Sequence, residues 1–208
     1  MYFEDRIDAG SQLAQKLTVD HPENTIVLAL PRGGVPLGLK ISAVHSLLFD
    51  VVLAKKIVHP LQPEFAIGAI AENGDPIINT NIDVEQSWID SDTERAKEEI
   101  QRRRKLYDQF LTKQSLNGKD IIIVDDGIAT GMTMFAAIEA VKKQNPNQIN
   151  VAVPIIPYDT YQQLKDLVDE AIYIEVPEQF RGAVGAYYQN FSQIPDSEVE
   201  KMIVESLD

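Results

Sequence analysis

The sequence predicts an α/β protein built on a doubly wound, mostly parallel β-sheet. Short apolar runs rich in β-branched residues, which are typical of strands buried on both faces, alternate along the chain with segments of helical periodicity. The chain has 208 residues and contains no internal repeat, low-complexity tract or interdomain linker. We therefore predict a single domain over residues 1–208.

The first half of the chain predicts two buried strands, two helices and a hairpin. In chain order these are a helix at 7–17, a strand at 25–30, a helix from about Pro36, a strand at 50–56, a loop at 57–64 and a β-hairpin that turns at Asn73-Gly74. Apolar residues at helical spacing indicate the first helix, and the first turn of the second tolerates Pro36. Two prolines indicate the loop, and Asn-Gly is typical of a hairpin turn.

The second half of the chain continues the alternation. Its predicted elements are a helix at 92–111, a strand at 121–124, a helix to about Lys143, a strand at 149–156, a helix at about 158–168, a strand at 171–176 and a last helix from about Pro195. Ser91 and Glu94 have the spacing of a capping box for the first of these helices. Its basic run at 102–105 follows acidic residues one turn earlier, which favours a solvated, ion-paired helix face over a nucleic-acid surface.

Charge and composition exclude several classes of function. There are 32 acidic and 19 basic residues, and the formal net charge of −13 repels the phosphates of nucleic acids. A phosphate site in such a protein needs local donors or a metal ion. The chain has no cysteine, and its three histidines are far apart, so disulfides, a thiol nucleophile and cysteine- or histidine-ligated zinc are not expected.

Neither a signal peptide nor a membrane span is expected. The first residues lack a basic segment followed by an apolar one, and no apolar run approaches eighteen residues. A cytoplasmic protein is the simplest interpretation.

The segment 121–133, IIIVDDGIATGMT, carries the clearest chemical signal. Four apolar residues predict a buried strand that ends in Asp125 and Asp126, and a loop of small residues with two threonines leads into a helix. Ligands of doubly wound sheets bind beyond the carboxyl ends of the strands. Amide N–H groups at a helix N-terminus bind anions, and carboxylates accept hydrogen bonds from sugar hydroxyls. The segment therefore predicts a sugar-phosphate site, and the alternative is a helix-capping or turn pair of aspartates.

This segment resembles the phosphoribosyl pyrophosphate motif of type I phosphoribosyltransferases. The resemblance implies that Asp125 and Asp126 are the catalytic acids, which hold the ribose 2′- and 3′-hydroxyls. It implies that the loop binds the 5′-phosphate through Ala129, Thr130, Gly131, Met132 and Thr133. Some purine-salvage members have an aspartate at the position of Ala129 that acts as a base, and this chain lacks it. The family fold implies a core at about 22–176 and a small hood from residues 1–20 and 177–208.

Two more sites follow from the resemblance. Type I enzymes grip the pyrophosphate with a short loop after the first core strand, which corresponds here to Arg32, Gly33 and Gly34. Glycines allow a close backbone approach, and Arg32 can donate to phosphate oxygens. The loop could equally be a structural turn. The family also places basic residues near the pyrophosphate at the end of the next strand, where this chain has Lys55 and Lys56.

The resemblance makes residues 57–64 a mobile flap that closes over the substrate. His59 and Glu64 lie in this flap. Two interpretations are open for each of them: a site residue or an ordinary surface residue. The C-terminal segment AVGAYYQNF is similar to that of an uncharacterised subset of the family. Four aromatic residues could stack on a planar base, and at least two are expected to form the hood's own core. These are Phe180, Tyr187, Tyr188 and Phe191.

The resemblance implies an enzyme of nucleotide metabolism that transfers a 5-phosphoribosyl group from phosphoribosyl pyrophosphate to a nitrogenous base and releases pyrophosphate. Mg²⁺ is the implied cofactor, held through the pyrophosphate and ribose hydroxyls with no direct protein ligand. The implied partners are phosphoribosyl pyrophosphate and a small planar acceptor, with neither nucleic acid nor membrane, and a homodimer is left open. The alternative is a non-catalytic regulatory protein that binds phosphoribosyl pyrophosphate or a nucleotide.

Overall fold

The protein, described over residues 2–207 by a computed structural model, has two β-sheets and six α-helices. The strands are β1 (Thr25–Ala29), β2 (Leu48–Val51), β3 (Ala54–His59), β4 (Gln62–Ala71), β5 (Ile77–Ile78), β6 (Asp120–Val124), β7 (Gln148–Ile155) and β8 (Glu170–Glu175). The helices are α1 (Arg6–Lys16), α2 (Gly34–His45), α3 (Gln86–Tyr107), α4 (Met132–Lys142), α5 (Tyr158–Leu164) and α6 (Asp196–Glu205). Within the described residues, no helix is long and apolar enough to cross a membrane.

The main sheet is parallel, with strand order β2-β1-β6-β7-β8. Its central strand β6 is buried on both faces: Ile121 and Ile123 pack with residues of α4, whereas Ile122 and Val124 pack with residues of α1 and α2. This confirms the predicted α/β fold class. Because β1 and β6 are neighbours that end in register at Ala29 and Val124, the loops that follow them lie side by side. The chain order reverses at this point, where α/β sheets bind ligands.

A second, antiparallel sheet has the order β3-β4-β5 and corrects two predictions. The predicted strand 50–56 is two strands in different sheets, because β2 ends at Val51 and buried residues 52–53 cross to β3. The predicted loop 57–64 is instead the tip of a β3–β4 hairpin, paired as far as His59 and Gln62. Its prolines lie in the turn and at an exposed strand end, where the missing N–H does not interrupt the pairing. The predicted hairpin at Asn73 is confirmed, and Asn73 has a φ of 60°.

Helix α3 begins earlier than the capping-box pattern predicts. The helix starts at Gln86, so Ser91 lies inside it and caps nothing. The indole of Trp88 donates a hydrogen bond to the carbonyl of Val58 at 2.9 Å. This anchors an additional first turn against the second sheet.

The basic run of α3 is only partly a solvated face. Arg102 pairs with Glu99 on the surface, as an ion-paired face requires. Arg104 is half-buried, with 12% of its side chain exposed, and it donates to Glu72 of the hairpin turn and Asp50 of β2. The prediction of a solvated face is therefore wrong for Arg104, because its guanidinium ties α3 to both sheets.

The two ends of the chain meet beside the main sheet. Phe3 forms a parallel bridge with Tyr188, in which the Phe3 N–H donates to the carbonyl of Tyr187 at 2.8 Å. Phe3, Tyr187 and Tyr188 are buried in one cluster with residues of α1 and β6. This contact places the N-terminus of α1 at the carboxyl end of the sheet.

Candidate functional site

A cavity of about 720 Å³ opens at the carboxyl ends of β1 and β6. The loops after these strands form its floor, the start of β3 forms one side, and the two terminal segments form another. Its walls consist of Arg6, Pro31, Arg32, Gly33, Ala54, Lys55, Lys56, Val58, Arg103, Asp126, Thr133, Val184, Phe191, Gln193 and Ile194. Five of these side chains are basic and one is acidic, so the cavity is locally cationic in a protein of net charge −13.

The loop after β1 packs directly on the loop after β6. The chain enters it through a cis peptide bond between Pro31 and Arg32. A Cβ atom at Gly33 would overlap the carboxylate of Asp126, and one at Gly34 would overlap the carbonyl of Val124. Both positions therefore need glycine for their close approach, which explains the Gly-Gly pair in physical terms.

Arg6, at the start of α1, holds the carboxylate of Asp126. Its Nε donates to Asp126 Oδ2 at 2.8 Å, and its Nη1 donates to the carbonyl of Ser192 at 2.9 Å. The guanidinium also lies 3.8 Å from the ring centroid of Phe191, a cation–π contact. With only 12% of its side chain exposed, Arg6 is a fixed cation in the wall of the cavity.

The two neighbouring acids have perturbed proton affinities. Burial, together with the charge of Asp126, raises the pKa of Asp125 well above its ordinary value. Burial also raises the pKa of Asp126, and the Arg6 guanidinium opposes that rise. The hydroxyl of Tyr188 donates to the backbone carbonyl of Asp126 at 2.6 Å, and burial raises the pKa of Tyr188 as well. Burial of these two neighbouring carboxyl groups therefore lowers the stability of the fold at neutral pH, as at many functional sites.

Replacing Asp125 with asparagine should stabilise the fold at neutral pH. Because the folded pKa of Asp125 is raised, its contribution to stability is fully present below the ordinary pKa of 3.8 and is lost as the pH rises through the folded value. Asparagine cannot ionise, and its Oδ1 can still accept from the Asp126 N–H, which Asp125 binds at 2.8 Å. We expect a gain on the order of 1 kcal/mol at pH 8, or about 2–4 °C in Tm. The gain should shrink towards pH 5.5 in urea unfolding, whereas a loss of stability at every pH would contradict the stated cost.

The loop at 129–133 presents a row of unused amide donors. Within the described chain, the backbone N–H groups of Ala129 to Thr133 donate to no acceptor. A residue of α5 fixes the position of the loop, because the hydroxyl of Thr160 donates to the carbonyl of Ala129 at 2.8 Å. Gly131 has a φ of +78°, and a Cβ there would overlap Phe135, so the position requires glycine. Amides of this kind at the start of a helix are suited to an anion.

Lys55 and Lys56 line the cavity from β3 rather than from the end of a main-sheet strand. Both side chains are exposed, and the side chain of Lys56 makes no hydrogen bond or ion pair with any described residue. Arg32 also lines the cavity, and its Nη1 lies 3.9 Å from Asp196 Oδ1 at the start of α6. These cations come from separate parts of the chain and converge on one space.

The structure brings six of the predicted site residues into the cavity wall. These are Asp126, Thr133, Arg32, Gly33, Lys55 and Lys56. The others lie behind or beside it: Asp125 under Asp126, Gly34 under the first loop, and Ala129, Thr130, Gly131 and Met132 along the second loop. The sequence analysis missed Arg6 and Arg103, since Arg6 carried no motif and Arg103 lay within a run interpreted as solvated.

The flap and aromatic candidates also divide into residues that line the cavity and residues that do not. Glu64 is exposed at the hairpin tip, and His59 accepts there from the N–H of Leu61 at 3.2 Å. Neither residue lines the cavity. Tyr187 and Tyr188 are buried, as expected for two of the four aromatic residues. Phe180 stacks on Tyr187, which leaves Phe191 as the aromatic residue of the cavity wall.

Comparisons with known proteins agree with this geometry. The family model of the phosphoribosyl transferase domain matches residues 4–189. The chain is 38% identical over 202 residues to "Putative phosphoribosyl transferase Rv0571c" of Mycobacterium tuberculosis, a match that covers 95% of this chain and 45% of that protein. The chain thus spans about half the length of the curated relatives it matches.

Solved structures extend the comparison. The crystal structure of TT1426 from Thermus thermophilus is similar with a TM-score of 0.82 and 35% identity, over 99% of both chains. A hypothetical protein from Neisseria gonorrhoeae, solved with bound ppGpp, has a TM-score of 0.52 and 12% identity, over 100% of this chain and 96% of that one. The second likeness is one of fold alone.

Proposed function

This chain belongs to the phosphoribosyl transferase family, and we propose that it transfers a 5-phosphoribosyl group from phosphoribosyl pyrophosphate to a nitrogenous base. The observation that carries the proposal is the cationic cavity next to a row of free amides. One ligand with a phosphate at one end, a diol in the middle and a pyrophosphate at the other end would match these features in order.

In this proposal the loop at 129–133 binds the 5′-phosphate and Asp126 binds the ribose. Its Oδ2 is engaged by Arg6, which leaves Oδ1 to accept from a ribose hydroxyl. The amides of Arg32 and Gly33, with the side chains of Arg32, Lys55 and Lys56, bind the pyrophosphate, whereas the Gly34 N–H donates to the carbonyl of Leu30. A ring nitrogen of the acceptor then attacks C1, the bond from C1 to the pyrophosphate oxygen breaks, and pyrophosphate leaves with the bonding electrons. Catalysis rests on positioning and on stabilisation of the leaving charge.

The donor set suits a Mg²⁺ ion that arrives with the substrate. In the part of the chain that the structure describes, no group of three or more acidic or histidine side chains could hold a metal ion. The acids at the cavity are the pair Asp125 and Asp126, and they would hold the ion through the ribose hydroxyls. Bound in this way, the ion would help to neutralise the leaving pyrophosphate.

The acceptor would enter from the side of the terminal segments. The wall there consists of Phe191, Val184, Ile194 and Gln193, together with the Arg6 guanidinium stacked on Phe191. An apolar wall with one fixed cation fits a flat acceptor that presents a ring face and a polar edge.

The reaction is tested by release of pyrophosphate. When the protein is mixed with phosphoribosyl pyrophosphate, Mg²⁺ and a panel of purine and pyrimidine bases, we expect release that depends on one class of base. The Asp126→Asn variant should release much less, and Lys142→Gln, a change on the outer surface of α4, should release as much as the unmodified protein. Tight binding of phosphoribosyl pyrophosphate without release from any base would favour the regulatory alternative.

A further inference from the structure

A second cavity, of about 440 Å³, lies between α3 and the turn that follows β4. Its walls come from the end of β4, the following turn, α3 and the segment after it, and it shares no residue with the first cavity. The wall residues are Ile70, Ala71, Glu72, Asn73, Gly74, Lys97, Ile100, Gln101, Arg104, Lys105 and Lys113. Its volume is within the range of small-molecule sites, about 300–1,000 Å³.

The floor of the second cavity is apolar and its rim is cationic. Ile70, Ala71 and Ile100 are buried beneath it, whereas Lys97, Lys105 and Lys113 are exposed around it. The cavity therefore has a closed apolar bottom, of which Ile100 is the most exposed residue at 6%, within a ring of ammonium groups. Four of its wall residues are basic and one is acidic.

The acidic wall residue, Glu72, is turned towards Arg104. Both carboxylate oxygens of Glu72 accept from Arg104, Oε1 at 2.5 Å and Oε2 at 3.0 Å. The remaining donors of Arg104 reach Asp50 and the carbonyl of Val51. Arg104 shares its single positive charge among Glu72, Asp50 and Asp108 and has no N–H to spare, so the positive charge that faces the cavity is that of the lysines.

The lysines lack strong partners within the described residues. The side chains of Lys105 and Lys113 make no hydrogen bond or ion pair there, and Lys97 has an exposed contact with Glu94 at 2.7 Å. Exposed pairs of this kind contribute little and are easily exchanged. The net charge of the protein is −13, so these three lysines form a local concentration of positive charge around one apolar floor. Such a concentration favours the binding of an anion.

We propose that this second cavity binds a small organic phosphate of the nucleotide class. Its phosphates contact Lys105, Lys113 and Lys97, and its planar part lies over the apolar bottom of the cavity, against Ile100. The site is next to the first cavity but distinct from it, since Ile70 and Ala71 pair in the sheet with Lys55 and Ala54 of the first cavity. A ligand in the second cavity contacts β4, which pairs with β3, the strand that carries Lys55 and Lys56.

The experiment uses adenosine 5′-diphosphate as a probe in calorimetric titrations of the full chain. In the Lys55→Gln/Lys56→Gln background, which weakens the first cavity, the probe should still bind to one site. Adding Lys105→Gln and Lys113→Gln should weaken it by about tenfold or more, because charge-assisted contacts to phosphate are lost. The matched pair Lys142→Gln/Lys201→Gln, on exposed faces of α4 and α6, should change the affinity less than twofold.

Two results would overturn the proposal. One is the absence of binding at millimolar probe in the Lys55→Gln/Lys56→Gln background. The other is an affinity that Lys105→Gln/Lys113→Gln changes no more than the matched pair does. Inorganic pyrophosphate should bind this site more weakly than the nucleotide, and equal affinity would contradict the role of the apolar floor. None of these results depends on whether pyrophosphate is released from phosphoribosyl pyrophosphate.

Discussion

Replacing Arg6 with methionine should remove most of the affinity for ribose 5-phosphate at pH 7. Arg6 donates to Asp126 Oδ2 at 2.8 Å, and its charge opposes the rise in the pKa of Asp126 that burial causes. Without this cation, Asp125 and Asp126 become a buried pair that retains a proton. A ribose hydroxyl then loses a charged acceptor, an interaction typically worth about 1.5–3 kcal/mol, so we expect a ten- to a hundred-fold loss.

The pH profile separates this role from a merely structural one. The affinity of Arg6→Met should rise from pH 7 to pH 9, because the ionised carboxylate binds the hydroxyl and a raised pKa moves ionisation to higher pH. Methionine preserves the packing on Phe191, and Arg6→Lys, which keeps the charge, should restore part of the affinity at pH 7. A loss in Arg6→Met that is the same at every pH would show that Arg6 does not act through Asp126.

Replacing Arg104 with methionine should produce the largest loss of stability. Arg104 pairs with Asp50, of which 4% of the side chain is exposed, and with Glu72, of which 13% is exposed. The pKa of the guanidinium is raised, because burial acts to lower it but the contacts with Glu72 and Asp50 outweigh burial. Removing one partner of a buried pair costs about 3–5 kcal/mol, since the other partner is left uncompensated. At about 2–4 °C per kcal/mol in a chain of this size, Tm should fall by roughly 6–20 °C.

The control for this change is the neighbouring Arg102→Met. Arg102 pairs with Glu99 and Asp196, and 55% of its side chain is exposed, so solvent screens both ion pairs and its loss should change the stability much less than the loss of Arg104. Urea unfolding of both variants measures the difference in the free energy of unfolding. An Arg104→Met variant within 1 kcal/mol of the unmodified protein would show that the buried network does not hold α3 to the sheets.

The parts of the fold that could be predicted are those encoded locally. The strand at 121–124, the two acids at its end and the small-residue loop follow one another directly, so their arrangement needs no tertiary information. The boundary between β2 and β3 could not be predicted. Residues 52–53 are apolar and buried like strand residues, and no glycine or proline marks the change of sheet.

The site residues Arg6 and Arg103 could not be predicted for a different reason. Arg6 lies 120 residues before Asp126, and the sequence around it encodes only the start of an amphipathic helix. Arg102, Arg103 and Arg104 are identical in type and adjacent, yet the first is on the surface, the second lines the cavity and the third is paired with Asp50 and Glu72. Their roles depend on the direction in which each points from α3, which only the packing against the second sheet determines.

The most direct test of the central claim compares two ligands in calorimetric titrations of the unmodified protein and Asp126→Asn. The claim is that Asp126 binds the ribose and the loop at 129–133 binds the phosphate. Asparagine keeps the shape of the side chain and removes its charge, so affinity for ribose 5-phosphate should fall roughly ten- to a hundred-fold. Affinity for sulfate, which needs only the loop amides, should hardly change. An equal fall for both ligands would contradict the claim, because Asp126 would then only hold the loop in shape.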